Sequence, residues 1–99
     1  FKNLEYAIQY VEEKIKLNRL FDIYKNLLSE GQREVMDEYL SFDFTISEIA
    51  ENLSISRQAV LDSITKAEKK LKNLEEKLSF SERLDKLERE IEKLKNKRG

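Results

Sequence analysis

The chain has 99 residues, about one domain's worth, with 39% apolar side chains, 39% charged side chains and a net charge of −1. It contains no cysteine, histidine or proline, and its only glycines are Gly31 and Gly99. This composition excludes disulfides, thiolate and imidazole chemistry and ordinary structural zinc sites, and it leaves too few turn-formers for a β-rich fold.

Dense charge at helical spacing predicts long solvated helices joined by short Ser, Asn and Asp turns. The charge is unevenly distributed. Residues 1–28 carry five basic and four acidic side chains, residues 29–65 two and eight, and residues 66–99 twelve and eight. The regional charges are therefore +1, −6 and +4. No apolar run approaches the roughly 18 residues a membrane span needs. Glu5, Glu12 and Glu13 interrupt the apolar positions at the start, so no signal peptide is expected there. The missing cysteines are compatible with the cytoplasm, which is the expected location.

Along residues 1–28, Leu4, Ile8, Val11 and Ile15 follow a helical period, and a second phase runs from Leu20 to Leu28. Either two helices meet near Leu17–Arg19, or one helix changes the face it buries. Ser29 with Gln32 reads as a capping box that opens a helix to about Leu40, with Val35, Met36, Tyr39 and Leu40 inward. Ser41-Phe42-Asp43-Phe44 is then a turn with two aromatic plugs. Thr45 with Glu48 is a second capping box, starting a short helix to about Asn52. Ser56 is an N-cap candidate for a helix from Arg57 to about Leu78. On that helix Val60, Ile64, Ala67, Leu71, Leu74 and Leu78 form a heptad seam. Ser79 with Glu82 offers a third capping box, and Leu84, Leu87, Ile91 and Leu94 mark a last helix.

The segment from Thr45 to Lys66 reads as a helix-turn-helix. Ala50 is the small residue that lets two short helices cross closely, Ile46, Ile49 and Leu53 fill the core, and Ile55 plugs the turn. The turn usually needs a left-handed residue, a role left here to Ser54 or Asn52. The second helix would present Ser56, Arg57, Gln58, Asp62 and Thr65, followed by Lys66 and Lys69. Arginine pairs bidentately with guanine and glutamine with adenine, so these are the candidate nucleic-acid-binding residues. Against this stands the −6 charge of the motif region, poor electrostatics for a polyanion. Lys66, Lys69, Lys70, Lys72 and Lys77 could compensate, less whatever helical pairing such as Glu68 with Lys72 removes.

Over Leu28–Leu74, the segments LLSEGQREVMDEYL, TISEIAENLSISRQAV and KAEKKLKNL resemble the region-4 helix-turn-helix of bacterial sigma factors. A closer resemblance starts at LNRLFDIYKNLLSEGQREVMDEYL (Leu17–Leu40) and continues in ISRQAVLDSITKAEKKL (Ile55–Leu71) and the charged C-terminal helices. These resemble the bacterial YlxM family, and the likeness leaves residues 1–16 outside it. The resemblance implies a helix-turn-helix regulator of the signal recognition particle pathway, in a family whose gene lies beside those of the particle's components.

The fold expected is therefore all-α: a sigma region 4-like helix-turn-helix bundle with a long N-terminal helix and a C-terminal charged helical extension. Residues 1–78 form the helix-turn-helix domain (motif 45–66), and residues 79–99 an amphipathic helix for oligomerisation. The expected function is DNA binding as a transcriptional regulator. The alternative is an interaction module that docks onto signal recognition particle protein or RNA. Catalysis is not expected: acid pairs such as Glu12–Glu13 and Glu75–Glu76 point apart on a helix, and no Gly-rich phosphate loop is present. No cofactor, metal, membrane or small-molecule substrate is expected. Leu71, Leu74, Leu78, Leu84, Leu87, Ile91 and Leu94 are narrow stripes on charged helices. They fold either as an antiparallel hairpin within one chain or between two chains, and a homodimer is expected.

Overall fold

The helix-spaced apolar residues fold as five α-helices in a computed structural model that describes residues 2–98. They are α1 (Lys2–Tyr24), α2 (Glu30–Met36), α3 (Ile46–Leu53), α4 (Arg57–Leu78) and α5 (Phe80–Arg98). A 3₁₀ turn at Lys25–Leu27 follows α1, and a π turn at Asp37–Ser41 follows α2.

Of the two arrangements open for residues 1–28, the chain adopts the continuous one. Helix α1 runs unbroken through Leu17–Arg19 and changes the face it uses. Its first half leaves Leu4, Ile8, Val11 and Ile15 exposed, while Leu17, Phe21 and Tyr24 enter the core. The core sits where α1, α2 and α3 meet α4. Val35 and Met36 come from α2, Ile49 and Ala50 from α3, and Val60, Ile64, Ala67 and Leu71 from α4. Met36, Ile49, Val60, Ala67 and Leu71 have no measurable exposure. Helix α4 is the member that every other bundle helix packs against.

Two capping boxes form as the sequence predicts. The Ser29 hydroxyl accepts from the Gln32 N–H at 3.2 Å, and the Gln32 carbonyl oxygen accepts from the Ser29 N–H at 3.3 Å. Thr45 and Glu48 exchange the same pair at 3.2 and 3.1 Å. The helix expected to reach Leu40 departs from α geometry after Met36. There the Phe42 N–H donates to the Asp37 carbonyl five residues back, and the Ser41 hydroxyl donates to the Asp37 carboxylate. Only one of the two aromatic plugs is one: Phe42 is 60% exposed and stacks on the half-buried Phe44 at 5.7 Å.

The third capping box does not form. Ser79 instead ends α4 in the left-handed region (φ 54°), its N–H donating to the Glu75 carbonyl at 2.7 Å. The start of α5 is capped from a distance by Glu75, whose carboxylate accepts from the N–H groups of Ser81 (3.0 Å) and Glu82 (3.2 Å) and from the Tyr24 hydroxyl (2.7 Å). Burial pushes the Glu75 carboxyl up, but these three donors outweigh it and hold it below the usual carboxylate range. The antiparallel hairpin of α4 with α5 is also not the arrangement found. Helix α5 turns onto α1, where Phe80 stacks on Tyr24 at 5.9 Å and Arg19 pairs with Glu88 (2.9 Å) and Asp85 (3.4 Å). The joint is set by Tyr24, whose hydroxyl also accepts from the Phe80 N–H.

Candidate nucleic-acid interface

The turn between α3 and α4 is a Schellman motif built on serine. Ser54 takes the left-handed conformation (φ 55°, ψ 44°), so Ser54 and not Asn52 fills the place where glycine is usual. The Ile55 N–H donates to the Ala50 carbonyl at 3.0 Å, and the Ser54 N–H to the Glu51 carbonyl at 3.3 Å. The Asn52 side chain ties α3 to the π turn by donating to Glu38 at 2.9 Å. Ile55 covers the turn without being sealed by it, at 38% exposure.

Ser56 then caps α4, its hydroxyl accepting from the Ala59 N–H at 3.0 Å. With Val60 and Ile64 buried, the helix period places Gln58, Asp62, Thr65 and Lys69, spaced 4, 3 and 4, along one exposed face. Arg57 is exposed in the first turn, and Lys66 lies beside the stripe. Three of these side chains are engaged within the helix. The Gln58 amide donates to the Asp62 carboxylate at 3.0 Å, and the Thr65 hydroxyl donates to the Leu61 carbonyl at 2.9 Å. The Gln58–Asp62 pair occupies the amide that base reading would use and leaves a carboxylate on the reading face.

The second half of α4 has a different character. Lys66, Lys69, Lys70, Asn73, Leu74 and Lys77 line an open groove of about 360 Å³. Among the described residues, no lysine of α4 lies within 4.0 Å of a carboxylate. The expected Glu68–Lys72 pair is not made: both residues turn toward a separate cavity of about 370 Å³ between α1 and α4, lined also by Tyr10, Lys14 and Tyr39. There Lys14 pairs with Asp43 at 2.6 Å and lies 4.8 Å over the Tyr39 ring. Burial and a hydrogen bond with Tyr10 push the Tyr39 hydroxyl up to about 12. Sequence reasoning names Lys66 and Lys69 as site residues and Lys70 and Lys77 only as compensating charges, and it misses that these line one groove together with Asn73. The spacing of Lys70, Asn73 and Lys77 from Lys66 by 4, 7 and 11 is the signal that could find it.

The residues expected to dimerise divide into two groups. Leu71 is fully buried in the chain's own core, and Leu74 and Leu78 pack against that core, so these three are already partnered. Leu84, Leu87, Ile91 and Leu94 stay exposed. Among the described residues no group of three or more His, Cys, Asp or Glu side chains could hold a metal ion, and no helix is long and apolar enough to cross a membrane.

Residues 11–99 match the model of a family described as "UPF0122: Putative helix-turn-helix protein, YlxM / p13 like". The chain belongs to the UPF0122 family. The match begins at residue 11 and not at Leu17, so the second half of the exposed α1 stripe is part of the family pattern. A UPF0122 protein of Halalkalibacterium halodurans is 41% identical over 85 residues, covering 86% of this chain and 78% of the relative. UPF0122 proteins of Bacillus cereus and Bacillus anthracis are each 40% identical over 85 residues, covering 86% of this chain and 77% of theirs. The family description names a helix-turn-helix protein, in agreement with the turn between α3 and α4.

Proposed function

We propose that this chain is a helix-turn-helix regulatory protein that binds DNA along α4, within the signal recognition particle pathway to which the YlxM resemblance points. The reading is carried by one observation. A single helix joins the exposed first turn of a helix-turn-helix, with Arg57 and Gln58, to a groove of four lysines, none of which lies within 4.0 Å of a carboxylate among the described residues. The −6 charge of the motif region is thereby offset on the surface where it matters. Lys66, Lys69, Lys70 and Lys77 supply phosphate contacts, which position the protein, and Arg57 supplies the base contact, which specifies the site. Opening the Gln58–Asp62 hydrogen bond on binding would free the amide for an adenine edge.

The test is binding of duplex fragments from the genome of origin, followed by fluorescence anisotropy. Arg57→Ala is expected to reduce discrimination between preferred and random duplex by about 1–3 kcal/mol while leaving the non-specific component in place. Loss of affinity without loss of preference would assign Arg57 to phosphate and remove it from the reading face.

A second reading is docking onto signal recognition particle protein or RNA, and Asp62 on the exposed face favours it, because a carboxylate there opposes duplex phosphate. Affinity purification from the native cell, with and without nuclease, separates the two. Partners lost to deoxyribonuclease alone support DNA binding, and partners that survive it, or are lost only to ribonuclease, support docking to protein or RNA.

A further inference from the structure

Helix α5 carries an apolar seam that its own chain does not cover. Leu84, Leu87, Ile91 and Leu94 are 39%, 59%, 50% and 63% exposed, and their 3, 4, 3 spacing is that of a coiled coil. The joint to α1 at Tyr24–Phe80 and Arg19–Glu88 fixes where α5 starts and leaves the seam bare. What covers the seam is indicated by the charges beside it. With Leu84 and Ile91 at a and Leu87 and Leu94 at d, the g positions are Arg83 and Glu90, and the e positions are Glu88 and Lys95.

In a parallel pair of α5 helices each g residue faces the e residue of the next heptad on the other helix. This sets Arg83 against the partner's Glu88 and Glu90 against the partner's Lys95, each twice by symmetry. All four contacts are attractive. In an antiparallel pair g faces g and e faces e, which opposes Glu90 to Glu90 and Glu88 to Glu88. Glu88 can serve both contacts, because Arg19 binds its Oε1 and the side chain remains 63% exposed. The exposed stripe of α1 (Leu4, Ile8, Val11, Ile15) fails the same test. Parallel pairing would set Lys14 against Arg19, and antiparallel pairing would set Glu5 against Glu12.

We propose that a second copy of this chain docks on α5, forming a parallel two-stranded coiled coil through Leu84, Leu87, Ile91 and Leu94, with Arg83–Glu88 and Glu90–Lys95 as interchain pairs. The inference stands on α5 alone and does not need nucleic-acid binding.

Sedimentation equilibrium of the full chain tests it. The wild type is expected at twice its 11.8 kDa mass at micromolar concentration. Glu90→Lys and Lys95→Glu are each expected to weaken self-association roughly tenfold, because each turns two attractions into two repulsions. An equimolar mixture of the two variants is expected to recover wild-type association, since all g–e pairs are again opposite in sign in the mixed dimer. Circular dichroism is expected to show both variants as helical as the wild type. In a chain with no other cysteine, Leu94→Cys is expected to oxidise to a crosslinked dimer, because parallel register places residue 94 beside its own copy. A wild-type monomer, a dimer indifferent to both charge changes, a mixture no tighter than its parts, or no crosslink in the Leu94→Cys variant would each overturn the proposal.

Discussion

The bundle and the two free helix halves are written in the same pattern and end in opposite environments. On α4, Val60, Ile64, Ala67 and Leu71 are spaced 4, 3 and 4, and all are buried. On α1, Leu4, Ile8, Val11 and Ile15 have the same spacing, and all are more than half exposed. On α5, Leu84, Leu87, Ile91 and Leu94 carry the same heptad repeat in the other phase, spaced 3, 4 and 3, again in solvent. Periodicity specifies a helix and an apolar face, but the capped turns decide whether that face meets another part of the same chain. Ser29, Thr45, Ser54 and Ser56 fold α2, α3 and α4 back on one another. The first half of α1 and the second half of α5 lie outside the segment that these turns fold together, and their stripes stay exposed.

The largest expected effect compares one leucine from each environment. Leu71→Ala is expected to destabilise the fold by about 2–5 kcal/mol, because a fully buried side chain leaves a cavity. Leu87→Ala, in dilute solution, is expected to change stability by less than about 0.5 kcal/mol. Urea unfolding of both measures the difference. Equal losses would mean that the arm is packed as tightly as the core, and the distinction between them would fail.

The joint between the two environments is the next target. Glu75→Gln removes a carboxylate that holds Tyr24 and the first turn of α5 together, and about 1–3 kcal/mol of stability is expected to go with it. The pH dependence follows from the lowered Glu75 carboxyl. A group held below its unfolded value, near 4.3, stabilises the fold fully above that value, and the contribution fades as pH falls through the lowered one. Thermal melts of the wild type between neutral pH and about pH 3 should lose this contribution, and those of Glu75→Gln should lose less.

Smaller effects lie in the turns. Ser56→Ala is expected to cost about 1 kcal/mol by leaving the Ala59 N–H without its cap. Ser54→Gly is expected to stabilise the protein by roughly 0.5 kcal/mol, because glycine adopts the left-handed conformation without the Cβ penalty serine bears. Differential scanning calorimetry resolves both signs.

These turns also show how far the residues can be read directly. The bounds of α4, the caps at Ser29, Thr45 and Ser56, and the burial of Ala50 follow from local chemistry, since each depends on groups three or four residues apart. The Ser79–Glu82 box misleads for the same reason. Local spacing allows it, but the Glu82 N–H is taken by Glu75, which the neighbouring helix draws toward Tyr24. The α5–α1 joint depends on Tyr24, Arg19 and Glu88, whose contacts span more than 50 residues of sequence and are unreadable from spacing. Of the site, Arg57, Gln58, Lys66 and Lys69 are legible as exposed positions of a heptad helix. The Gln58–Asp62 bond and, among the described residues, the lack of any carboxylate within 4.0 Å of the groove lysines are not, because they depend on side-chain conformation and not on residue type.

The central claim is that the second half of α4 is a phosphate-binding surface despite the acidic motif before it. The most direct measurement is the dependence of duplex-DNA affinity on salt, for the wild type and for the Lys66→Gln, Lys69→Gln double variant. The account predicts that the slope of log affinity against log salt falls in magnitude by about two for the double variant. Lys93→Gln on α5 is predicted to leave it unchanged. An identical slope in the double variant, or no binding by the wild type at low salt, would contradict it.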